Sequence, residues 1–201
     1  MCRPALAFCA LLALSGVAFA QSGNRGAPAG PTPGGSDPGP SAQQAGSVAL
    51  EQADRDFLAR AARGALYELA TAKLAADKAK AEDVKDYARR LVKDHEAYGA
   101  ALQKIAKESG LTLPTDMGQE DKTRTVEQRR LQGEDYDRAF IAEAIRVNAQ
   151  DKKESDEALR ATKSDVVKNF IGQFAAADAE HQRMAQDLAK KHNVAPETGT
   201  K

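Results

Sequence analysis

Four long segments with a regular apolar spacing constrain the fold of this chain more than any other feature. Between Val48 and His192 the only proline is Pro114, and the composition is dominated by residues that favour helices, Ala, Leu, Glu, Lys, Arg and Gln. In two segments, residues of one face recur every seven positions, as in helices that pack side by side. These are Val84, Leu91, Tyr98 and Ile105, and then Val167, Phe174, His181 and Leu188. Similar stripes run through Phe57, Ala61, Ala65 and Ala72, and through Tyr136, Phe140, Ala144 and Val147.

The spacing and the breakers predict the helix boundaries. Long helices are expected over Asp54–Ala79, Glu82–Ser109, Glu134–Ala161 and Asp165–His192, with Ser164 as the N-cap of the last one. Gly110 and Pro114 end the second helix, and a short extra helix is expected over Glu120–Leu131. Each long helix would be about 40 Å long at 1.5 Å per residue. Four such helices, each with one apolar face, predict an all-α four-helix bundle.

A weak internal repeat supports a particular arrangement of these helices. Asp54-Arg55-Asp56-Phe57 matches Asp137-Arg138-Ala139-Phe140, and Val84-Lys85-Asp86-Tyr87 matches Val167-Lys168-Asn169-Phe170, both at an offset of 83 residues. The same offset aligns the starts of two helical hairpins. Two similar hairpins joined by a long connection, residues 110–133, are the plan of a ferritin-like bundle, in which that connection crosses the length of the bundle.

The N-terminal residues predict export. Arg3 precedes an apolar run over residues 5–18, and Ala18-Phe19-Ala20 has the small-x-small pattern of a signal-peptide cleavage site. We therefore expect a secretory signal peptide over residues 1–20 and an exported protein. No later apolar segment is long enough to predict an integral membrane span.

The remaining domain boundaries follow from composition. Residues 21–47 contain seven Gly and five Pro, which predicts a disordered linker before a bundle domain over 48–192 and a frayed tail over 193–201. Cleavage would remove both cysteines, Cys2 and Cys9, together with Arg3. The mature protein would then hold 28 basic and 29 acidic residues and no disulfide. This balance argues against a nucleic-acid partner, and the sequence does not specify a protein partner or an oligomeric state.

Four polar residues interrupt the apolar stripes. Glu68, His95, Asp151 and His181 each lie near the middle of a predicted helix, at levels that differ by about 5–10 Å. Buried carboxylates and imidazoles are costly unless they are paired, so these residues are expected to meet in the core. Our favoured interpretation is a structural, hydrogen-bonded core without a cofactor.

The alternative interpretation is a transition-metal site for iron, manganese or zinc, which bind imidazole and carboxylate ligands. Asp178, three residues before His181, and Asp94, beside His95, are second candidates as ligands. However, Leu91 and Val92 occupy the positions before His95 where a di-metal bundle needs a carboxylate. The sequence therefore does not supply a complete di-metal site.

Several motifs together resemble one family. They are Phe57-Leu58-x-x-Ala61-Ala62-x-Gly64 with Glu68, Val84-Lys85-x-Tyr87-Ala88-x-x-Leu91-Val92-x-Asp94-His95, Gly110-Leu111-x-Leu113-Pro114, Gly133-x-x-Tyr136-Asp137-x-x-Phe140 and Glu180-His181-x-x-Met184-Ala185. This set, within residues 52–191, is similar to the exported domain-of-unknown-function family 4142. The resemblance implies a periplasmic, ferritin-like helical bundle with no established activity, and peripheral attachment to the outer membrane is a further expectation from the resemblance. The family's third long helix often carries a second Asp-His pair, and Val147-Asn148 stands there in this chain, which weakens the metal interpretation.

These patterns favour a protein that is not an enzyme. The sequence contains no glycine-rich phosphate loop and no recognisable order of Ser, His and Asp for nucleophilic catalysis. We expect an exported cell-envelope helical bundle with a binding, scaffold or stress-protective role. The alternative is a metal-binding ferritin-like protein with a partial or degenerate site in its core. A third idea, contact of Arg129-Arg130 with anionic lipid, is less favoured than a solvated mixture of charges.

Overall fold

The computed structural model describes residues 49–195. The predicted signal peptide and linker, and residues 196–201 of the predicted tail, lie outside the described residues. Within 49–195 the chain forms five α-helices and no strand, which confirms the all-α prediction. They are α1 Gln52–Lys78, α2 Glu82–Ser109, α3 Gln119–Arg130, α4 Gly133–Ala161 and α5 Asp165–Lys191. The predicted boundaries lie within two residues of the observed ones at every helix end, and those of α2 coincide.

The helix ends show why the chain turns where it does. Gly110 ends α2 in the left-handed conformation (φ 64°), which glycine adopts without steric cost, and the Leu111 N–H donates to the Ala106 carbonyl at 2.9 Å. Ser164 is the N-cap residue of α5, but its side chain makes no capping hydrogen bond. Instead its N–H donates to Thr162 Oγ1 at 2.9 Å. The α4–α5 turn is thus held by a threonine that precedes the predicted cap.

The four long helices run antiparallel to each of their neighbours. Short turns fold α2 back along α1 and α5 back along α4, and the α1–α2 pair then packs against the α4–α5 pair through α1–α4 and α2–α5 contacts. The contact of Arg60 with Glu154, near the opposite ends of α1 and α4, shows the antiparallel direction. Residues 110–132 run from the end of α2 to the start of α4 at the other end of the molecule, and α3 in this connection contacts α1 and α4.

The buried apolar side chains form two clusters, one towards each end of the four long helices. One cluster contains Tyr87, Leu91, Tyr136, Phe140 and Ile141, and the other contains Phe57, Leu58, Leu102, Phe170 and Phe174. Repeat-related positions are buried in both hairpins: Asp54 and Asp137, and Phe57 and Phe140. No helix among residues 49–195 is long and apolar enough to cross a membrane.

Candidate functional site

A layer of polar side chains lies between the two apolar clusters. The structure brings together Glu68 from α1, His95 from α2, Asp151 from α4 and His181 from α5, the four residues that the sequence places near the helix centres. Each of the long helices contributes one of them, because each carries a polar residue near the middle of its apolar stripe. The layer is therefore built by the same periodicity that builds the core.

Glu68 and His95 form the centre of the layer. Glu68 Oε2 lies 3.2 Å from His95 Nε2, and their side chains are only 12% and 7% exposed. Burial opposes the ionisation of both groups, but the attraction between the opposite charges raises the pKa of His95 and lowers the pKa of Glu68. The geometry of the contact is not that of a hydrogen bond. Neither ring nitrogen of His95 has a hydrogen-bond partner among the described residues.

Asp151 completes the contacts of Glu68. Burial together with the negative charge of Glu68 raises the pKa of Asp151 well above its usual value. The raised pKa favours a protonated Asp151 carboxyl, which can donate to the Glu68 carboxylate. Gly64 lies one turn before Glu68, and a Cβ there would be 3.9 Å from both Glu68 Oε1 and Asp151 Oδ1. The two acids therefore meet directly beneath the α1 backbone.

His181 pairs with Asp94 rather than with Glu68. His181 Nε2 donates to Asp94 Oδ2 at 2.9 Å, and the imidazole is 2% exposed. Burial and the positive charge of His95 lower the pKa of His181, whereas its hydrogen bond to Asp94 acts in the opposite direction. The two imidazole rings lie 5.6 Å apart between their centroids. The charged form is thus favoured for His95 and the neutral form for His181.

The remaining neighbours close the layer. Burial and the charge of Glu68 raise the pKa of Asp178 to about 6, against the opposing charge of His95.

The Tyr98 ring lies 6.1 Å from the His95 ring and 4.8 Å from the rings of Phe170 and Phe174, so aromatic side chains bound the layer on one side. On the other side, Asn148 donates to the Ala144 carbonyl at 2.7 Å and to the Tyr87 hydroxyl at 3.4 Å.

The layer has little internal space. The cavity beside Glu68, bounded by Leu91, Phe140 and Val147, has a volume of about 20 Å³, close to that of one water molecule. An outer cleft of about 320 Å³ between α1, α3 and α4 reaches Gly64 and Asp151. Organic ligands need cavities of roughly 300–1,000 Å³, so the layer itself has no room for an organic substrate.

The donor atoms suit a transition metal better than their arrangement does. Two imidazoles and several carboxylates match the ligand preferences of iron, manganese and zinc. In the part of the chain that the structure describes, however, no group of three or more His, Asp or Glu side chains is arranged to hold a metal ion. A metal would require some of these side chains to rotate.

Two buried polar contacts were not predicted from the sequence. Asp137, only 1% exposed, accepts hydrogen bonds at 2.8 Å from the backbone N–H groups of both Lys80 and Ala81. Tyr67 donates to Glu143 at 2.7 Å, and Arg146 holds the same carboxylate. Asp137 lies in the repeated motif and matches Asp54, so the repeat was the available signal for its burial. No comparable pattern marks the pair of Tyr67 and Glu143.

The raised pKa of Asp151 leads to a pH-dependent prediction. A group whose pKa is higher in the folded state stabilises the fold at low pH, and this contribution is lost as the pH rises through the folded-state pKa. Asn at position 151 cannot ionise, and its amide can still donate to Glu68. We therefore expect Asp151→Asn to gain stability relative to the wild type as the pH rises from 4 to 8, by at least about 1 kcal/mol. Urea unfolding at several pH values with a chelator present measures this difference.

Asp156→Asn is the matched control for this comparison. Asp156 lies on the same helix, but its hydrogen bond to Lys152 lowers its pKa. Its contribution to stability is present above the unfolded-state pKa and is lost as the pH falls. Because this loss occurs below the start of the measured pH range, the control variant should change little relative to the wild type between pH 4 and 8. A difference between Asp151→Asn and the wild type that does not vary with pH would mean that Asp151 ionises normally.

Comparison with known proteins identifies a family for the chain. No curated protein and no solved structure matches it. One family model, described as Domain of unknown function (DUF4142), matches residues 39–188, which include α1 to α4 and most of α5. This confirms the resemblance seen in the motifs of residues 52–191. Since the match covers well over half of the 201 residues, the chain belongs to the DUF4142 family of domains of unknown function.

Proposed function

We propose that the protein is an exported, non-catalytic component of the cell envelope, with a binding, scaffold or stress-protective role. The observation that carries this proposal is the closed polar layer at the centre of the helices. Its acids and imidazoles contact one another, and the cavity beside Glu68 is only about 20 Å³. The outer cleft of about 320 Å³ reaches only Asp151 of the four central residues. Groups that neutralise each other in a tight core are not free to act on a substrate.

We further infer that the four long helices form a ferritin-like four-helix bundle. Each of these helices is antiparallel to both of its neighbours, while the connection through α3 runs the length of the molecule. Two hairpins joined by one long crossover have this combination of directions. The repeat at an offset of 83 residues, with matching buried positions in both hairpins, supports the same assignment.

The polar layer has a clear structural role in such a bundle. Apolar stripes rich in alanine allow helices to slide or rotate at little cost, because one small side chain packs much like the next. A buried ion pair between α1 and α2 and a second pair between α2 and α5 penalise such shifts, since a displaced partner leaves a buried group unpaired. The layer would thus fix the register of the helices at the expense of some stability.

Export is supported by the leader pattern of residues 1–20. The mature protein should begin at Gln21 and should be found in the periplasmic fraction. Intact mass measurement of the protein from that fraction tests both statements. Recovery of the protein from the cytoplasm with residues 1–20 still attached would reject the proposed location.

Metal binding is the second candidate function, and one observation favours it. His95 is almost completely buried, yet both of its ring nitrogens lack hydrogen-bond partners among the described residues. A bound cation would satisfy one of these nitrogens. His95, Glu68 and Asp151 would be its ligands, with Asp178 and His181 close by, and iron, manganese or zinc would suit them. Binding would release the protons of Asp151 and His95, so it would weaken at acid pH.

Elemental analysis separates the two candidates. The untagged mature protein is purified from the periplasm without chelator, and its metal content is compared with that of His95→Gln/His181→Gln. His192→Gln is the control, because this third histidine lies at the end of α5 beside Asp83. Metal well below one equivalent in all three samples supports the non-catalytic proposal. One or two equivalents that only the double variant loses would overturn it in favour of a metalloprotein.

A further inference from the structure

A large cleft lies on a different face from the polar layer. It is a groove of about 640 Å³ between α4 and α5. Ala142, Ile145 and Ala149 form its floor along α4, at the spacing of one helical face, and Ala189 contributes from α5. From position 142 to position 153 this stripe extends about 17 Å at 1.5 Å per residue. The groove is therefore long, narrow and mainly apolar.

One end of the groove is closed by the turn that follows α5. Asn193 adopts a left-handed conformation (φ 53°), and the Val194 N–H donates to the Ala189 carbonyl at 2.9 Å. This turn folds Val194 back against the apolar cluster of Phe140 and Ile141, against which Ile145 also packs. Lys191 and His192 both pair with Asp83 of α2, which holds the turn in place. The end wall is thus part of the folded domain.

The groove is lined by basic side chains and by no acidic one, and one of its three cations, Lys153, is unpaired among the described residues. Three basic side chains, Arg146, Lys153 and Lys190, line the groove, and no acidic side chain of residues 49–195 does. Arg146 is held by Glu143, and Lys190 lies 3.2 Å from Asp187. Lys153 makes no ion pair with a described residue, so its ammonium group is available to an anion. The whole chain, by contrast, has 29 basic and 29 acidic residues.

We propose that this groove binds a single-chain anionic amphiphile, a long-chain fatty acid, with the acyl chain on the alanine and isoleucine floor and the carboxylate at Lys153 and Lys190. The volume lies within the usual range for ligand sites, which are mostly apolar with a few polar groups that fix orientation. Lysine side chains suit the rim, because their stems cover apolar surface while their ammonium groups reach solvent. The proposal goes beyond the function proposed above, since it uses neither the polar layer nor the export pathway.

The test uses the mature protein and a fluorescent fatty acid, dansyl-undecanoate. We expect saturable binding that laurate displaces more effectively than dodecanol, because the alcohol lacks the charge. Lys153→Glu/Lys190→Glu should weaken binding by about tenfold or more, since two exposed attractions are replaced by repulsions. Ala149→Phe should abolish binding by filling the groove, and the fold should persist because Ala149 is exposed.

A charge-matched variant and two further measurements complete the test. Lys104→Glu/Lys107→Glu changes the net charge equally on exposed positions of α2, away from the groove, and it should leave binding unchanged. Absence of saturable binding, or equal weakening by both lysine pairs, would overturn the proposal. The proposal would also be overturned if the protein floated with anionic vesicles but did not bind the free probe. That result would indicate that the groove binds a membrane headgroup. A dimer that Ala149→Phe disperses, again without probe binding, would show that a second copy covers the groove.

Discussion

Asp137→Ala is expected to destabilise the protein by about 2–4 kcal/mol, although Asp137 lies far from the polar layer. Its carboxylate accepts two hydrogen bonds of 2.8 Å from the Lys80 and Ala81 N–H groups. Hydrogen bonds to a charged group contribute about 1.5–3 kcal/mol each, and partners left buried and unpaired are costly. Ala81 is the N-cap residue of α2 and has no side chain that can cap the helix, so Asp137 of α4 provides the acceptor for the N–H groups at that helix start. Chemical unfolding measures the loss.

Two comparisons separate this contact from a general effect of charge. Asp135→Ala removes an exposed acid from the same turn of α4, where it binds only Arg138, and it should cost less than about 1 kcal/mol. Asp137→Asn retains one acceptor and should cost less than Asp137→Ala. Hydrogen exchange at the Lys80 and Ala81 amides should accelerate in Asp137→Ala but not in Asp135→Ala. Unchanged exchange at these two amides would contradict the assigned contact.

The contact of Asp137 also shows which part of the fold could be predicted. Apolar spacing and breakers predict five helices closely, because each helix is determined by residues near in sequence. The clamp from α4 to the α1–α2 turn joins residues more than 50 positions apart, and no local pattern indicates it. The repeat offered a partial signal, since it matches Asp137 with Asp54, and both residues are buried. Two equivalent acids at the starts of two hairpins were therefore detectable, but the hydrogen bonds of Asp137 were not.

The polar layer was predictable in composition and level but not in pairing. Counting residues along each helix predicts that Glu68, His95, Asp151 and His181 lie near one another, because helix rise is constant. Which imidazole meets Glu68 depends on the rotation of each helix about its axis, and packing of distant segments determines that rotation. Asp94 and His95 show the consequence. They are neighbours in sequence and point about 100° apart, so His95 faces Glu68 on α1 whereas Asp94 faces His181 on α5.

The second large effect is expected at the centre of this layer. Glu68→Ala should destabilise the protein by about 3–5 kcal/mol, because it leaves a buried, charged imidazole and a buried carboxyl group without their partner. His95→Leu removes the opposite partner and leaves the Glu68 carboxylate without a counter-charge. Replacing both residues with leucine removes the charges together, and such apolar replacements of buried ion pairs are often neutral or even stabilising. Glu68→Leu/His95→Leu should therefore lose clearly less unfolding free energy than the sum of the losses in the two single variants.

Double-mutant cycles test the pairing itself. Coupling between Glu68 and His95 should be at least about 1 kcal/mol, whereas Glu68 and His181 should couple more weakly, because Asp94 is the hydrogen-bond partner of His181. Unfolding free energies of the single and double leucine variants at neutral pH, with chelator present, give both values. Stronger coupling of Glu68 with His181 would mean that α2 and α5 are rotated relative to the arrangement described here. Since the two pairs fix how α2 meets α1 and α5, that outcome would reject the polar layer as the element that sets the helix register.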